Sequence, residues 1–280
     1  MIRGLARVKV IGHMECFRLP LGLVLLTSFA LARADELVAC ADSAEMPPFV
    51  YTMPAGSDRD NRAAGVTIDL LGLIAREQGW KLRIELVPWG RCMLDAQSGR
   101  YAMVLNVGED EARSHHLLLS RPFYSTHGVY LYSRTVYPNG LTLTSAAQMS
   151  SLKVCGMGGH QYESFGIPAQ AIDQGTTKSF GQMVTKLQLG RCDIAVGTRE
   201  EVAGLYLMNA KLGHQISTGE LGMEPLPGEP ERRLYLGVPE GRDASRALLA
   251  SLNSSLERLE KGDTVGKLVN RHLAGPDAPR

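Results

Sequence analysis

The chain has 280 residues, with 30 Lys and Arg against 29 Asp and Glu. Five of the basic residues and one acid fall in residues 1–34, so the remaining 246 residues carry 25 basic and 28 acidic groups, a net charge of about −3. That balance, with no run of Lys or Arg, leaves a nucleic-acid partner no electrostatic footprint, while 246 residues suffice for one large domain or two lobes of ordinary size.

The N-terminus reads as a targeting segment. Arg3, Arg7, Lys9 and Arg18 precede an uncharged run from Leu19 to Ala32, and Ala32-Arg33-Ala34 follows it. A basic start, an apolar stretch and A-x-A are the order of a secretory signal. The apolar run has 14 residues, short of the roughly 20 that span a bilayer as a helix. Residues 1–34 are therefore expected to be a signal peptide, with the exported protein starting near Asp35 and Met14 as an alternative start codon. Leu37-Val38-Ala39-Cys40 has the look of a lipoprotein processing site, but Arg33, Asp35 and Glu36 separate Cys40 from the apolar run.

From Leu37 strand-like and helix-like segments alternate. Leu37 to Ala41 is a short apolar run, and Gly65 to Gln78 places Val66, Leu70, Leu73 and Ile74 on one helical face. KLRIELV alternates strictly, with Leu82, Ile84 and Leu86 to one side, and reads as a half-buried strand near a sheet edge. Pro88 ends it, a helix carries Arg91 to Gln97, and Gly99 stops that helix before an apolar strand from Tyr101 to Val107. The programme then repeats: Leu152 to Met157 and Ala171 to Asp173 are strand-like, Phe180 to Leu189 helical, Asp193 to Gly197 strand-like. The phrases SGRYAMVL and LGRCDIAVG recur after the helix of each unit. Gly128 to Ser133 and Leu234 to Val238 are extended, and Ala244 to Lys261 is a helix stopped at Gly262. Strand and helix in alternation imply parallel sheets with covering helices. Two such units joined by two extended crossings would hold a ligand between them, at the carboxyl ends of both sheets.

Four cysteines follow the signal, Cys40, Cys92, Cys155 and Cys192. In an oxidising compartment an even count suggests pairs, and four cysteines allow three connectivities. No C-x-x-C or Cys/His spacing points to zinc or redox work. Adjacent His115 and His116 diverge by about 100° on a helix and cannot face one metal, so neither a metal nor a cofactor is expected.

Six phrases in order resemble the family 3 extracellular solute-binding proteins. They are LVACADSAEMPPF, GVTIDLLGLIAREQGW, PWGRCMLDAQSGR, EDEARSHHLLLSRPFY, LGRCDIAVG and the C-terminal LYLGVPEGRDASRALLASLNSSLERLEKGDTVGKLVNRHL. The resemblance implies a two-lobed α/β type II periplasmic binding fold, each lobe a mostly parallel sheet flanked by helices, with two hinge crossings. Lobe one would be residues 35–129 and 240–280, and lobe two residues 130–239. It implies a periplasmic monomer that captures a small polar, carboxylate-bearing solute such as an amino acid and delivers it to the membrane subunits of an ABC importer. Arg113, before Ser-x-Pro-aromatic, would clamp the carboxylate, which a guanidinium fork fits bidentately. Asn106 and Gly108 would add polar and backbone groups from lobe one, and Gly159, His160, Gln161 and Tyr162 from lobe two. Trp89 and Phe49 are the candidate stacking walls, because Met46 occupies the usual aromatic position; for Phe49 a place in the core is an equal reading. Thr198 stands where relatives that bind α-amino acids have the aspartate that holds the ammonium, and Ala102 where lobe one usually has aspartate. A hydroxyl cannot replace that counter-ion, so either Glu200 or Glu201 compensates or the ligand differs. With two cysteines in each lobe, Cys40–Cys92 and Cys155–Cys192 would be the pairs; the alternative is four buried thiols.

Three other classes compete. The Gly-rich GMGGHQ has Gln161 where the nucleotide fingerprint needs its third glycine. A periplasmic dehydratase on the same fold would need an acid or base over its substrate, for which His160, Glu200 and Glu201 are candidates, although no nucleophile motif accompanies them. A ligand sensor would have to signal through a separate membrane partner.

Overall fold

The alternation from Leu37 onward is realised as one mixed sheet with helices packed on it, in a computed structural model that describes residues 36–53, 63–109, 112, 116–158, 160, 162–173, 175 and 177–274. In chain order come β1 (Glu36–Asp42), the ribbon strands β2 (Tyr51–Thr52) and β3 (Ala63–Ala64), α1 (Val66–Gln78), β4 (Lys81–Val87), α2 (Trp89–Gln97), β5 (Met103–Val107) and β6 (Leu117–Leu119). There follow β7 (Tyr124–Ser133), α3 (Ala146–Met149), β8 (Val154–Cys155), β9 (Ile172–Asp173), α4 (Phe180–Gln188) and β10 (Ile194–Thr198). The chain continues through α5 (Arg199–Met208), α6 (Ala210–Ser217), β11 (Leu221–Pro225), β12 (Glu231–Pro239), α7 (Asp243–Lys261) and α8 (Thr264–Leu273).

The strand order is β4-β1-β5-β12-β7-β10-β8-β9, with β11 on β7 and β6 on β12. In the first half β1 runs parallel to β4 and β5, and in the second β8 runs parallel to β9 and β10. The two extended segments are β7 and β12. They pair with each other antiparallel, Tyr124–His127 against Leu234–Glu231, and each then continues as a strand of one half. As its alternation predicts, β4 lies at the sheet's edge, where only one side of the strand is paired.

Side-chain direction sets the core on both faces of each half. Along β1, Ala39 and Ala41 join Leu70, Leu71 and Ile74 of α1 and Leu252 of α7, whereas Cys40 between them joins Cys92, Met93 and Ala96 of α2. That is the period of two of a strand meeting one helix on each face. In the second half Phe180, Met183 and Leu187 of α4 pack on Leu131 and Ala195, and Tyr130, Ile194 and Val196 face Phe165 and Ile167 on the other side. Each such side chain contributes about 1.5–3 kcal/mol when fully buried, and truncating Ile74 to Ala would cost about 2–5 kcal/mol.

Both disulfides form within one half: Cys40–Cys92 joins β1 to α2, and Cys155–Cys192 joins β8 to the turn before β10, each with Cα atoms 5.7 Å apart. Of the strand expected from Leu152 to Met157, only Val154 and Cys155 are laddered. Side chains take the flanking amides, since Lys153 N donates to Asp193 Oδ2 at 2.8 Å and Met157 N to the Tyr162 hydroxyl at 2.7 Å. Among the described residues no helix is long and apolar enough to cross a membrane. The expected signal peptide, its cleavage point and Met14 lie outside the described residues.

Candidate functional site

A cavity of about 50 Å³ lies where the carboxyl ends of β1, β5 and β10 meet, several times the ~10–15 Å³ that one water needs. From the first half it is lined by Asp42 at the end of β1, by Glu45, Met46 and Val50 of the next loop, by Trp89, and by Leu105 and Asn106. From the second half come Met157, His160, Tyr162 and Phe165, then Val196 to Thr198 and Glu201. Arg232, on the crossing strand β12, completes it.

Local backbone chemistry aims these groups. The loop after β1 is closed by a bridge between Met46 and Val50, and its Pro48 and Phe49 carbonyls accept from Val66 N and Thr67 N at 2.9 and 3.0 Å. They thereby satisfy two amides that the start of α1 leaves unpaired. On β5, Val104 and Val107 oppose Gly237 and Tyr235 of β12, so β5 carries one extra residue and bulges. Asn106 sits in that bulge with φ 59°, a left-handed conformation asparagine tolerates. Its Oδ1 accepts from Thr67 Oγ1 at 2.7 Å.

His160 spans the cavity. Its Nε2 lies 2.8 Å from Asp42 Oδ2, and its ring stacks on Trp89 with centroids 5.7 Å apart and planes at 12°. Asp42 and Trp89 belong to the first half and His160 to the second, so one imidazole ties the halves together across the site. Opposite them α5 begins. Thr198 caps it by accepting from Glu201 N at 3.2 Å, the usual task of a threonine there. The two glutamates of its first turn diverge. Glu200 accepts from His127 N at 3.0 Å and meets His127 Nδ1 at 2.7 Å on β7. Glu201 lines the cavity, is 5% exposed, and has an oxygen, Oε1, with no hydrogen-bond partner. Burial pushes its carboxyl up to about 7, against the lowering influence of His160, the Thr198 contact and Arg232.

Of the residues expected from sequence, Trp89, Asn106, His160, Tyr162 and Thr198 meet at this cavity. Phe49 does not. It is fully buried against the Tyr124 ring, 5.2 Å between centroids, within the core beneath α1. The turn that carries Met46 and Val50 to the cavity points Phe49 the other way. Gly108 is also outside the lining; its carbonyl accepts from Ala112 N at 3.1 Å. Arg113, Gly159 and Gln161 lie outside the described residues. Sequence reasoning passed over Asp42 and Arg232. Asp42 had a signal, an acid at the carboxyl end of the first strand, whereas Arg232 reaches the site only because β12 crosses between the halves. Among the described residues, Cys155, Asp173 and Cys192 are the trio close enough to share a metal, and the two sulfurs are bonded to each other.

Two halves with parallel strands, two crossing strands between them and a cavity at the shared carboxyl ends make up the type II periplasmic binding protein fold. The chain belongs to the bacterial extracellular solute-binding proteins, family 3, whose pattern it matches over residues 38–275. No curated protein matches it in sequence. Among solved structures it is similar to an amino acid ABC transporter substrate-binding protein from Streptococcus pneumoniae bound to L-arginine, at 18% identity, TM-score 0.66, covering 85% of this chain and 94% of that one. It is similar to a histidine kinase sensor domain described as resembling periplasmic binding proteins, at 19% identity and TM-score 0.65, covering 86% and 97%. A third is the ancestral amino acid-binding protein AncCDT-1, described as a precursor of cyclohexadienyl dehydratase, at 19% identity and TM-score 0.62, covering 85% and 95%. At these identities the likeness is one of fold.

Proposed function

We propose that the protein is exported to the periplasm by residues 1–34. There it captures a small polar, carboxylate-bearing solute, an amino acid or a close analogue, for the membrane subunits of an ABC importer. Residues 35–129 with 240–280 act as one lobe and 130–239 as the other, and the lobes close on the solute by bending where β7 and β12 cross. The observation that carries this reading is the cavity itself: mainly apolar walls with Asp42, Glu45, His160, Glu201 and Arg232 among them, placed at the carboxyl ends of both sets of strands, and bridged across the two halves by His160 on Asp42 and Trp89. The relatives described as amino acid ABC transporter substrate-binding proteins support the choice of solute and partner. Arg113 serves as the carboxylate anchor, with Asn106 and Tyr162 as polar walls.

A thermal-shift screen of amino acids, amines and organic acids tests it. A ligand at 100 times its Kd stabilises by about 2.7 kcal/mol, which raises the melting temperature of a domain this size by about 5–10 °C. Calorimetry on the best compound should then find binding abolished in Arg113→Ala with its fold intact. A flat screen, or full affinity in that variant, would contradict the proposal, and consumption of the bound compound would point to an enzyme instead.

A further inference from the structure

The bridge between the halves is made wholly by side chains of the chain itself. His160 Nε2 lies 2.8 Å from Asp42 Oδ2, and the imidazole stacks on the Trp89 indole. The side chains of His160 and Asp42 are each only 16% exposed, so solvent screens the contact less than it would a surface pair.

Both walls of the seat that receives the imidazole are fixed within the first half. Asp42 Oδ1 accepts from Ala44 N at 3.0 Å, which leaves Oδ2 turned to the ring. Trp89 opens α2 inside the cluster of Cys40, Cys92 and Met93. The Cys40–Cys92 disulfide therefore staples the strand that ends in Asp42 to the helix that starts at Trp89. The second half offers His160 from a constrained turn: its N–H donates to Met157 O at 3.3 Å, and Met157 N donates to the Tyr162 hydroxyl at 2.7 Å. Two further contacts between the halves are purely steric, Gly204 of α5 against the Pro47 backbone and Ala44 against the core of the second half. The His160 bridge adds a directional bond to them, and every atom of it belongs to the protein.

We propose that His160 is a latch on closure and not a wall that holds the solute. Parting the halves breaks its bond to Asp42 and uncovers its stack on Trp89. A hydrogen bond to a charged partner shifts such an equilibrium by about 10- to 150-fold. A joined form populated below about 1% without the latch thus becomes a measurable minority of the solute-free protein. The effect on affinity rests on the solute-binding function proposed above; the latch itself does not. Every solute that the same closure encloses gains by the same factor, because His160 acts on the halves and not on the solute.

The test uses the exported form from Asp35 onward, freed of solute by unfolding and refolding, with Leu94→Cys in the first half and Leu189→Cys in the second. These positions are 65% and 62% exposed, and the native cysteines of this form are held in disulfides, so spin labels attach to the new pair alone. Pulsed dipolar spectroscopy should find in the otherwise wild-type protein a minority at the separation that the joined halves define, beside a population at a different separation. His160→Ala should reduce that minority by about tenfold or more with the solute-free melting temperature unchanged. His160→Gln, whose amide can still donate to Asp42, should restore part of it. Asp42→Ala combined with His160→Ala should be no more open than either single variant, as two ends of one contact require. In calorimetry, His160→Ala should weaken each L-amino acid that binds the wild type by one common factor, about 10- to 150-fold. A wild type without the joined minority, or a His160→Ala variant that keeps it, would overturn the latch and leave the solute-binding function standing. Losses that differ between compounds by more than about tenfold would mean that His160 touches the solute, and would overturn it too. Failure of every compound to bind the wild type would take down the solute-binding function, while the distance measurement would still decide the latch.

Discussion

Gly204 is a point where the two halves meet so closely that one added atom would disturb the contact. It lies within α5, on the second half, and a Cβ built there would fall 2.6 and 2.7 Å from the carbonyl carbon and oxygen of Pro47 and 2.8 Å from Pro48 N. These are backbone atoms of the loop after β1, on the first half, and that loop is pinned by the Met46–Val50 bridge and by its hydrogen bonds to the start of α1. It cannot swing aside as the end of a long side chain would. Overpacking of this kind costs about 1–3 kcal/mol. Within the helix alone the same change favours the fold by up to about 1 kcal/mol. If the halves separate in the absence of solute, Gly204→Ala penalises only the closed form, and the apparent Kd should rise about 5- to 150-fold. The ligand-free melting temperature should stay level or rise slightly. Titration calorimetry and a ligand-free melt on the same preparation check both halves of the statement. Affinity within twofold of wild type would mean that the bound form does not use this contact, and a ligand-free melt lowered by several degrees would mean that the halves do not come apart.

Three further outcomes are expected. Glu201 has a folded-state pKa near 7 against 4.5 when unperturbed; because the folded state holds the proton more tightly, stability should decline as pH rises from about 4.5 to 7, by about 3 kcal/mol in all. Urea unfolding at pH 5 and pH 8 should show that decline in the wild type and its loss in Glu201→Gln. The disulfides close loops of 52 and 37 residues, so replacing either pair with serine should lower unfolding free energy by about 4 kcal/mol on a chain-entropy basis, and thiol assay of the unfolded, unreduced protein from Asp35 onward should find none free. Thr198→Ala removes the cap of α5 and should cost about 1 kcal/mol, with Thr198→Ser retaining most of it; an unchanged denaturation midpoint in the alanine variant would refute the capping role.

Much of the frame was legible because it rests on local periods. Alternation in Lys81–Val87 marked an edge strand, and the i, i+4 apolar residues of α1 and α7 marked helices that bury one face. The parallel between SGRYAMVL and LGRCDIAVG also held, since Gly99 and Gly190 both adopt the left-handed conformation that ends a helix before β5 and β10. Residues 199–217 resisted such reading. Helix α5 buries Glu200 and Glu201 beside Val202 while Tyr206, Leu207 and Met208 are exposed, so its apolar positions mark no single face.

The candidate site divides along the same line. Trp89 after a strand-ending proline, Asn106 at the end of β5, and His160 with Tyr162 after β8 sit at strand ends, and a strand's end is a property of the chain that can be counted. Which neighbour meets which across the cavity is not. Phe49 and Met46 are three residues apart, yet one tight turn sends the first into the core and the second to the cavity. Thr198 and Glu201 are likewise three apart, and the capping bond between them turns the hydroxyl to the backbone and leaves the Glu201 carboxyl lining the cavity. Composition and period thus marked the α/β units and the extended crossing segments, and left the pairing of cysteines within each unit as one reading beside four buried thiols. Only the tertiary structure decided that His160 closes on Asp42 and Trp89, that Arg232 arrives from β12, and that one oxygen of the buried Glu201 carboxyl is left without a partner, because each depends on contacts between segments tens to more than a hundred residues apart.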